Sequence, residues 1–238
     1  MVPVSLRMKK IADMVSVSSV ADIGCDHGFV SIYLILEKGL KYVIAMDINE
    51  GPLQRAKEHV GRYGLTDKID IRRSDGAKEL KKNEVNGAII AGMGGRLTIR
   101  ILSDSLEIFK NMEEVILSPH SEVFLVRRFL SQNGFDIIDE DMVIDEEKYY
   151  PIIKCVYKDD DVKTDLSDIE EEFGPIIIKK KHPVLIEYLR DKEKKQKIIA
   201  DNIRNNLHGE DEKKILKLKE IEVGLKQTKD LLIKLEER

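Results

Sequence analysis

Up to about residue 158 the chain alternates short runs of aliphatic and β-branched residues with stretches whose apolar positions recur every three or four residues. The first pattern suits strands, and the second suits helices that bury one face. The runs predict strands at 19–23, 42–46, 68–72, 85–91, 113–118, 134–144 and 150–157. Amphipathic helices are predicted over 5–15, 29–38, 51–63, 96–109 and 121–132, with Gly39, Gly64 and Gly134 at helix stops. Strands alternating with helices in this way predict a doubly wound α/β domain. Only the polar Asp145-Glu146-Glu147-Lys148 separates the last two strands, too short a link for a crossover helix. They are therefore expected to form an antiparallel hairpin that closes an otherwise parallel sheet.

From Lys158 to Glu172 the composition turns acidic and sparse in apolar residues, and Phe173-Gly174-Pro175 ends the stretch. Beyond it, apolar positions at Val184, Leu185, Tyr188, Leu189, Ile198, Ile199, Ile203 and Leu207 predict one helix. Those at Ile215, Leu218, Ile221, Leu225, Leu232 and Leu235 predict a second, with His208-Gly209-Glu210-Asp211 as the break. The expected organisation is a domain over 1–158, an acidic connector over 159–182, and an antiparallel helical hairpin with a coiled-coil seam over 183–238.

Nothing in the chain approaches the roughly 18 apolar residues of a membrane span, and no basic start leads an apolar run, so a cytoplasmic protein is expected. Two cysteines, Cys25 and Cys155, make neither a disulfide framework nor a metal-ligand spacing, and no metal is expected. The formal net charge of −4 conceals an asymmetry. Residues 179–238 carry roughly five net positive charges and the rest roughly nine net negative. The hairpin reads either as a dimerisation element or as a basic arm that rests on a polyanion. The oligomeric state stays open between these.

The chemistry concentrates where strands end. Open α/β sheets bind ligands beyond the carboxyl ends of their strands. After the first strand, Asp22-Ile23-Gly24-Cys25-Asp26-His27-Gly28 gives the spacing Asp-x-Gly-x-x-x-Gly. It resembles the first motif of class I methyltransferases, where S-adenosylmethionine (SAM) lies across the turn. No arrangement of Gly24 and Gly28 meets the Gly-x-Gly-x-x-Gly spacing of a dinucleotide fold. Asp47, ending the second strand, suits a bidentate contact to ribose hydroxyls. Asp75, in Ser74-Asp75-Gly76, offers an acceptor for an adenine amino group. Gly92, Met93 and Gly94, in Ala91-Gly92-Met93-Gly94-Gly95-Arg96, form a backbone that can pass close to a ligand; no Walker lysine follows that would favour phosphate. Ser118-Pro119-His120 follows the fifth strand.

Taken together, the Asp26-His27 pair in the first turn, Gly51-Pro52-Leu53 opening the next helix, the Gly-Met-Gly-Gly loop, the Phe-Gly-Pro segment and the helical tail resemble the bacterial tRNA (adenine(22)-N1)-methyltransferase family, TrmK. The resemblance covers essentially the whole chain. It implies a class I SAM-methyltransferase sheet, Rossmann-like, with SAM as cofactor and tRNA as partner. It also implies cofactor contacts at Asp22, Gly24, Gly28, Asp47, Asp75, Gly92, Met93 and Gly94. Catalytic roles fall to Asp26, whose carboxylate would stabilise the charge gained by the methylated base, and to His27 as a base-edge contact or proton acceptor. Arg7, Pro119, His120 and Tyr150 are the expected substrate contacts. The chain departs from the family at Ser118-Pro119-His120, where Gln-Pro-Asn is usual, and at Pro151, where some members carry glutamate. The competing readings are a small-molecule methyltransferase with a dimerising tail, a noncatalytic RNA-binding module and, last, a nicotinamide oxidoreductase.

Overall fold

The structure is a computed structural model that describes residues 2–158, 165–206 and 211–237. It divides into two units, Met1–Ile176 and Ile177–Arg238. In the first, helices and strands alternate as α1 (Leu6–Asp13), β1 (Ser19–Ile23), α2 (Phe29–Leu36), β2 (Tyr42–Asp47), α3 (Glu50–Arg62), β3 (Ile69–Arg73) and β4 (Gly87–Ala91). They continue as α4 (Gly95–Asp104), α5 (Leu106–Phe109), β5 (Glu114–Ser118), α6 (Val123–Gln132), β6 (Phe135–Asp145), β7 (Lys148–Tyr157) and α7 (Asp168–Phe173). α8 (Pro175–Lys179) leads into α9 (Pro183–Asn205) and α10 (Glu212–Glu236).

The sheet has seven strands in the order β3-β2-β1-β4-β5-β7-β6. β1 to β5 pair in parallel, while β7 is antiparallel to both β5 and β6. Strand order reverses at β1, the switch point where such folds bind ligands. Side chains alternate across each strand. Val20, Val43, Ala45, Ile89 and Ile116 join a core with α1 to α3, and Ala21, Ile23, Ile44, Met46, Ile90 and Leu117 join the core on the other face with α4 and α6. Every expected strand is present within about two residues. The β6–β7 turn has Glu146 and Glu147 at φ +48° and +60°, the paired positive values of a tight hairpin turn.

The single helix expected over 96–109 is instead α4 and α5, interrupted at Ser105 with φ −133°. The segment expected as connector, so far as it is described, contains α7 and α8. α7 opens with a capping box in which Ser167 and Glu170 satisfy each other's backbone donors. The guanidinium of Arg127, 2% exposed, explains why an acidic stretch folds here. It donates to Glu140 Oε1 at 2.8 Å and to the carbonyls of Glu171 and Glu172 at 2.9 and 3.0 Å, and Glu140 Oε2 accepts from Ile176 N at 2.9 Å. A Cβ at Gly174 would strike the Glu140 carboxylate.

In the second unit α9 and α10 run antiparallel. Arg204 pairs with Glu222 at 2.6 Å and Arg190 with Glu236 at 2.5 Å, while Thr228 Oγ1 donates to Gln196 Oε1 at 3.1 Å. Leu185, Leu189, Leu231, Leu232 and Leu235 are buried as a seam requires. Ile198 and Ile199, expected in that seam, are 61% and 47% exposed. Adjacent helical residues point about 100° apart, and the inward position goes to Ala200, fully buried. Of the expected break, Asp211 caps α10 by accepting from Lys214 N at 3.1 Å; Leu207 and His208-Gly209-Glu210 lie outside the described residues.

Candidate active site

The loop after β1 is built by backbone rather than side chains. Gly24 has φ +81°, and the N–H groups of Gly24 and Cys25 both donate to Met46 O, at 2.7 and 2.9 Å. Gly28, at φ +73°, starts α2, and a Cβ there would sit 3.1 Å from the Ala56 Cβ. A Cβ at Gly24 would collide with the methyl of Met93. Both positions favour glycine by conformation, and Gly28 by space as well, whereas the Met93 methyl, at the end of a flexible side chain, could move aside for a Cβ at position 24. Asp22 is buried beneath this turn and accepts from Ser31 Oγ at 2.6 Å. Burial pushes its carboxyl up to about 6, against the lowering effect of the Ser31 hydrogen bonds. Burial likewise pushes the Cys25 thiol up, which makes it a poor nucleophile.

Asp26 sits at φ +49° with its side chain 62% exposed. It does not cap α2: the N-cap is Gly28, with no side-chain cap. His27 Nε2 lies 3.6 Å from the Asp26 carboxylate and Arg55 Nη2 lies 3.9 Å from it, loose approaches that leave the carboxylate open to solvent. Beneath them, His59 Nδ1 donates to the His27 carbonyl at 2.9 Å, and its ring stacks on Phe29 with centroids 4.4 Å apart.

At the end of β2, Asp47 Oδ1 accepts from Asn49 N at 2.9 Å and its backbone carbonyl accepts from Ser74 N at 2.9 Å, which ties the second loop to the third. Asp75 is held on both oxygens, by Arg100 at 2.9 Å and Lys78 at 2.6 Å. The Lys78 hydrogen bond leads the effects that hold its carboxyl below the usual range.

Loops four and five are clamped together. A Cβ on Gly95 would stand 2.6 Å from Ser121 O and 2.7 Å from Glu122 O, and Gly95 N donates to Ser121 O at 3.0 Å. His120 N donates to Met93 O at 2.8 Å. Gly92, at φ +78°, borders open space. Gly94 is the N-cap of α4 and Pro119 is buried. Since β7 runs antiparallel to β5, its start returns to this edge, where Ser118 Oγ donates to Pro151 O at 3.0 Å. That brings Tyr150 to His120, with ring centroids 5.2 Å apart edge-on, and Arg7 of α1 closes the group. The Arg7 guanidinium lies 4.6 Å from the Tyr150 ring centroid, and its Nη1 donates to His120 Nε2 at 2.5 Å. Burial, with Arg7 and Lys148 nearby, holds the His120 imidazole below its usual range, which keeps Nε2 free to accept. Arg7 Nε is buried with no hydrogen-bond partner among the described residues. A buried donor left unpaired is costly, and a ligand acceptor would satisfy it.

Met93 therefore joins two clusters. Its side chain rests on Gly24 and its carbonyl holds His120. The sequence reading did not single out Ser31 or His59. Ser31 carried a faint signal, as a polar residue in the apolar run Phe29-Val30-Ser31-Ile32. His59 carried none, since its partner lies 32 residues away.

Residues 4–153 match the model of a family described as methyltransferase domain. The chain belongs to that family. This methyltransferase is 29% identical to the tRNA (adenine(22)-N(1))-methyltransferase of Bacillus subtilis, over 96% of both chains. The crystal structure of the B. subtilis M1A22 tRNA methyltransferase TrmK superposes with a TM-score of 0.85 at 27% identity, covering 98% of this chain and 100% of that one. A putative tRNA (m1A22) methyltransferase from Streptococcus pneumoniae, solved in complex with S-adenosyl-L-methionine, gives a TM-score of 0.79 at 30% identity over 96% and 99% of the two chains. The resemblance to TrmK read from the sequence is borne out, and so is the fold class. Among the described residues no cluster of metal-ligating side chains occurs, and no helix is long and apolar enough to cross a membrane.

Proposed function

We propose that this protein is an S-adenosylmethionine-dependent methyltransferase that methylates N1 of adenine 22 in tRNA, acting in the cytoplasm. The observation that carries the reading is the end-to-end likeness to TrmK, which runs through the helical pair as well as the methyltransferase domain.

The residues present fit the cofactor. The first turn lies at the switch point of the sheet, where such folds bind ligands, its Gly24 and Gly28 making room for Met93 and Ala56, and the buried Asp22 carboxylate below suits a cationic group. Asp47 would accept from the ribose hydroxyls. Asp75, though held by Lys78 and Arg100, keeps lone pairs for the adenine amino group. Gly92, Met93 and Gly94 would border the sulfonium. The bound cofactor supplies an electrophilic methyl group.

The chain's own residues then have three tasks. Tyr150 offers a ring for the target base to stack on, and Arg7 and His120 offer polar contacts to the same nucleotide; Pro119 shapes the turn that carries His120. Adenine N1 already bears a lone pair, so orientation matters more than a strong base. Asp26 provides negative charge beside a base that becomes cationic, a stabilisation that grows along the reaction. His27 contacts the base edge or takes up a proton. Adenine 22 must be exposed to react, and the basic hairpin would offset that cost through phosphate contacts.

The test is transfer of radiolabel from SAM to unmodified tRNA transcripts, with an adenine-to-guanine change at position 22 as control. Adenine-dependent label with a reverse-transcription stop at that position is the expected result. SAM binding without label would overturn the tRNA assignment and favour a small-molecule acceptor.

A further inference from the structure

We propose that His59 is a positioning residue for methyl transfer, holding the Asp26-His27 turn through the His27 carbonyl; the inference rests on the reading of that turn as catalytic. Asp26 occupies the left-handed region at φ +49°, where a residue with a Cβ is strained. Among the described residues, its carboxylate is met only loosely, by His27 at 3.6 Å and Arg55 at 3.9 Å. The backbone of the turn therefore fixes where the Asp26 Cβ stands and which positions its carboxylate can reach.

Two anchors hold this backbone from the strand side, the Gly24 and Cys25 N–H groups on Met46 O. On the helix side, Gly28 N donates back to Cys25 O at 2.8 Å, within the turn itself. His59 reaches in from α3. Its Nδ1 bonds the His27 carbonyl at 2.9 Å, and since a carbonyl only accepts, Nδ1 must carry the proton. Phe29, stacked on the imidazole at 4.4 Å with 22° between planes, fixes the ring's orientation. His27 lies 5.9 Å from the same ring, so the imidazole from α3 holds the carbonyl of the turn and borders its neighbouring ring.

The donor and the packing can be separated. Asparagine places an N–H where histidine has Nδ1 but has no ring, whereas phenylalanine keeps a ring and has no donor. The full-length protein would be assayed with SAM and tRNA transcript. His59→Phe is expected to lower kcat by about 10- to 100-fold, the scale for a small displacement of a catalytic group, with KM for SAM and tRNA little changed. His59→Asn is expected to keep kcat within about 3-fold of wild type, because the donor is the part that matters. Matching melting temperatures for the two variants would exclude a folding defect. Equal loss in both variants, an unchanged kcat in His59→Phe, or a loss confined to KM would overturn the proposal. Asp26→Asn, run in parallel, separates the two ideas. If it abolishes turnover while His59→Phe leaves kcat unchanged, His59 has no positioning role. If it is harmless while His59→Phe is impaired, His59 still positions the turn and His27 takes over the chemistry. If both are harmless, the turn is not catalytic and both ideas fall.

Discussion

Gly95→Ala tests whether the fourth and fifth loops are one rigid piece. The added Cβ would stand 2.6 Å from Ser121 O and 2.7 Å from Glu122 O, whereas ordinary contact begins near 3.4 Å. Two backbone carbonyls, one of them already bonded to Gly95 N at 3.0 Å, would each have to retreat. Overpacking of this kind costs about 1–3 kcal/mol, and the upper half applies where the obstacle is backbone rather than a flexible side chain. At about 2–4 °C per kcal/mol for a chain of this size, the melting temperature should fall by about 4–12 °C. Two other glycines calibrate the result. Gly61, inside α3 with open space around it, should gain roughly 0.5–1 kcal/mol as alanine, because the unfolded chain loses freedom. Gly92 has room for a Cβ but φ +78°, so Gly92→Ala should lose about 1–2 kcal/mol from conformation alone. Thermal unfolding by circular dichroism would rank Gly61→Ala above wild type, then Gly92→Ala, then Gly95→Ala. A Gly95→Ala protein melting within a degree of wild type would refute the clamp. Activity should follow the same order at Gly95, since His120 hangs on Met93 O in the adjoining turn.

Three further outcomes are expected. Asp22 carries a carboxyl raised from 3.8 to about 6 by burial, so the folded protein holds its proton longer than the unfolded chain. That contribution to stability is full below pH 3.8 and is lost as pH rises through about 6. Asp22→Asn should therefore be more stable than wild type at pH 7.5, by about 1–3 kcal/mol, yet bind SAM more weakly; a stability difference that does not vary with pH would contradict this. His120 is held neutral, so the stability it lends is present above the ordinary imidazole range and is lost as pH falls through it, when Nε2 can no longer accept from Arg7. Wild-type melting temperature should drop between pH 7 and 5 more steeply than that of His120→Asn, and parallel curves would count against the bond. Arg127→Met takes the cation from the Glu140 carboxylate, 1% exposed, and should cost about 3–5 kcal/mol in urea denaturation, while Arg127→Met with Glu140→Leu should recover only part of it, since Ile176 N and the carbonyls of Glu171 and Glu172 lose partners. A loss below about 1 kcal/mol in the single variant would show that the pair is not uncompensated when broken.

β2, β4 and β5 were legible as near-continuous apolar runs, the pattern that burial on both faces demands, while β3 and β6 mix apolar with charged positions, as strands with one face nearer solvent do. The cofactor turn was legible for a related reason: Gly24 and Gly28 adopt conformations that other residues resist, so their spacing appears in the sequence itself. Partnerships over distance were not legible. Arg127 looks like one more surface arginine in Val126-Arg127-Arg128, and nothing local says that Glu140 and two carbonyls of an acidic stretch will close around it. The same holds for Ile198 and Ile199, where hydrophobicity marked the helix but its phase against α10 chose Ala200 for the interior.

The proposed substrate residues Arg7, His120 and Tyr150 fall between these cases. Each was picked out separately, from a first helix, a turn and a late strand; none of the three indicates the others by spacing. What joins them is topology. The antiparallel return of β7 brings Tyr150 back to the carboxyl edge of β5, so a residue at the start of one strand meets a residue past the end of another. A fully parallel sheet would have put the start of its last strand at the opposite edge, some 15 Å away for a five-residue strand. The terminal hairpin is thus more than a way to close the sheet: it delivers an aromatic ring to the edge where the first five loops meet, and Arg7 and His120 become neighbours around that ring. At Ser118-Pro119-His120 the imidazole accepts one hydrogen bond from Arg7, as a side-chain amide oxygen could do in its place.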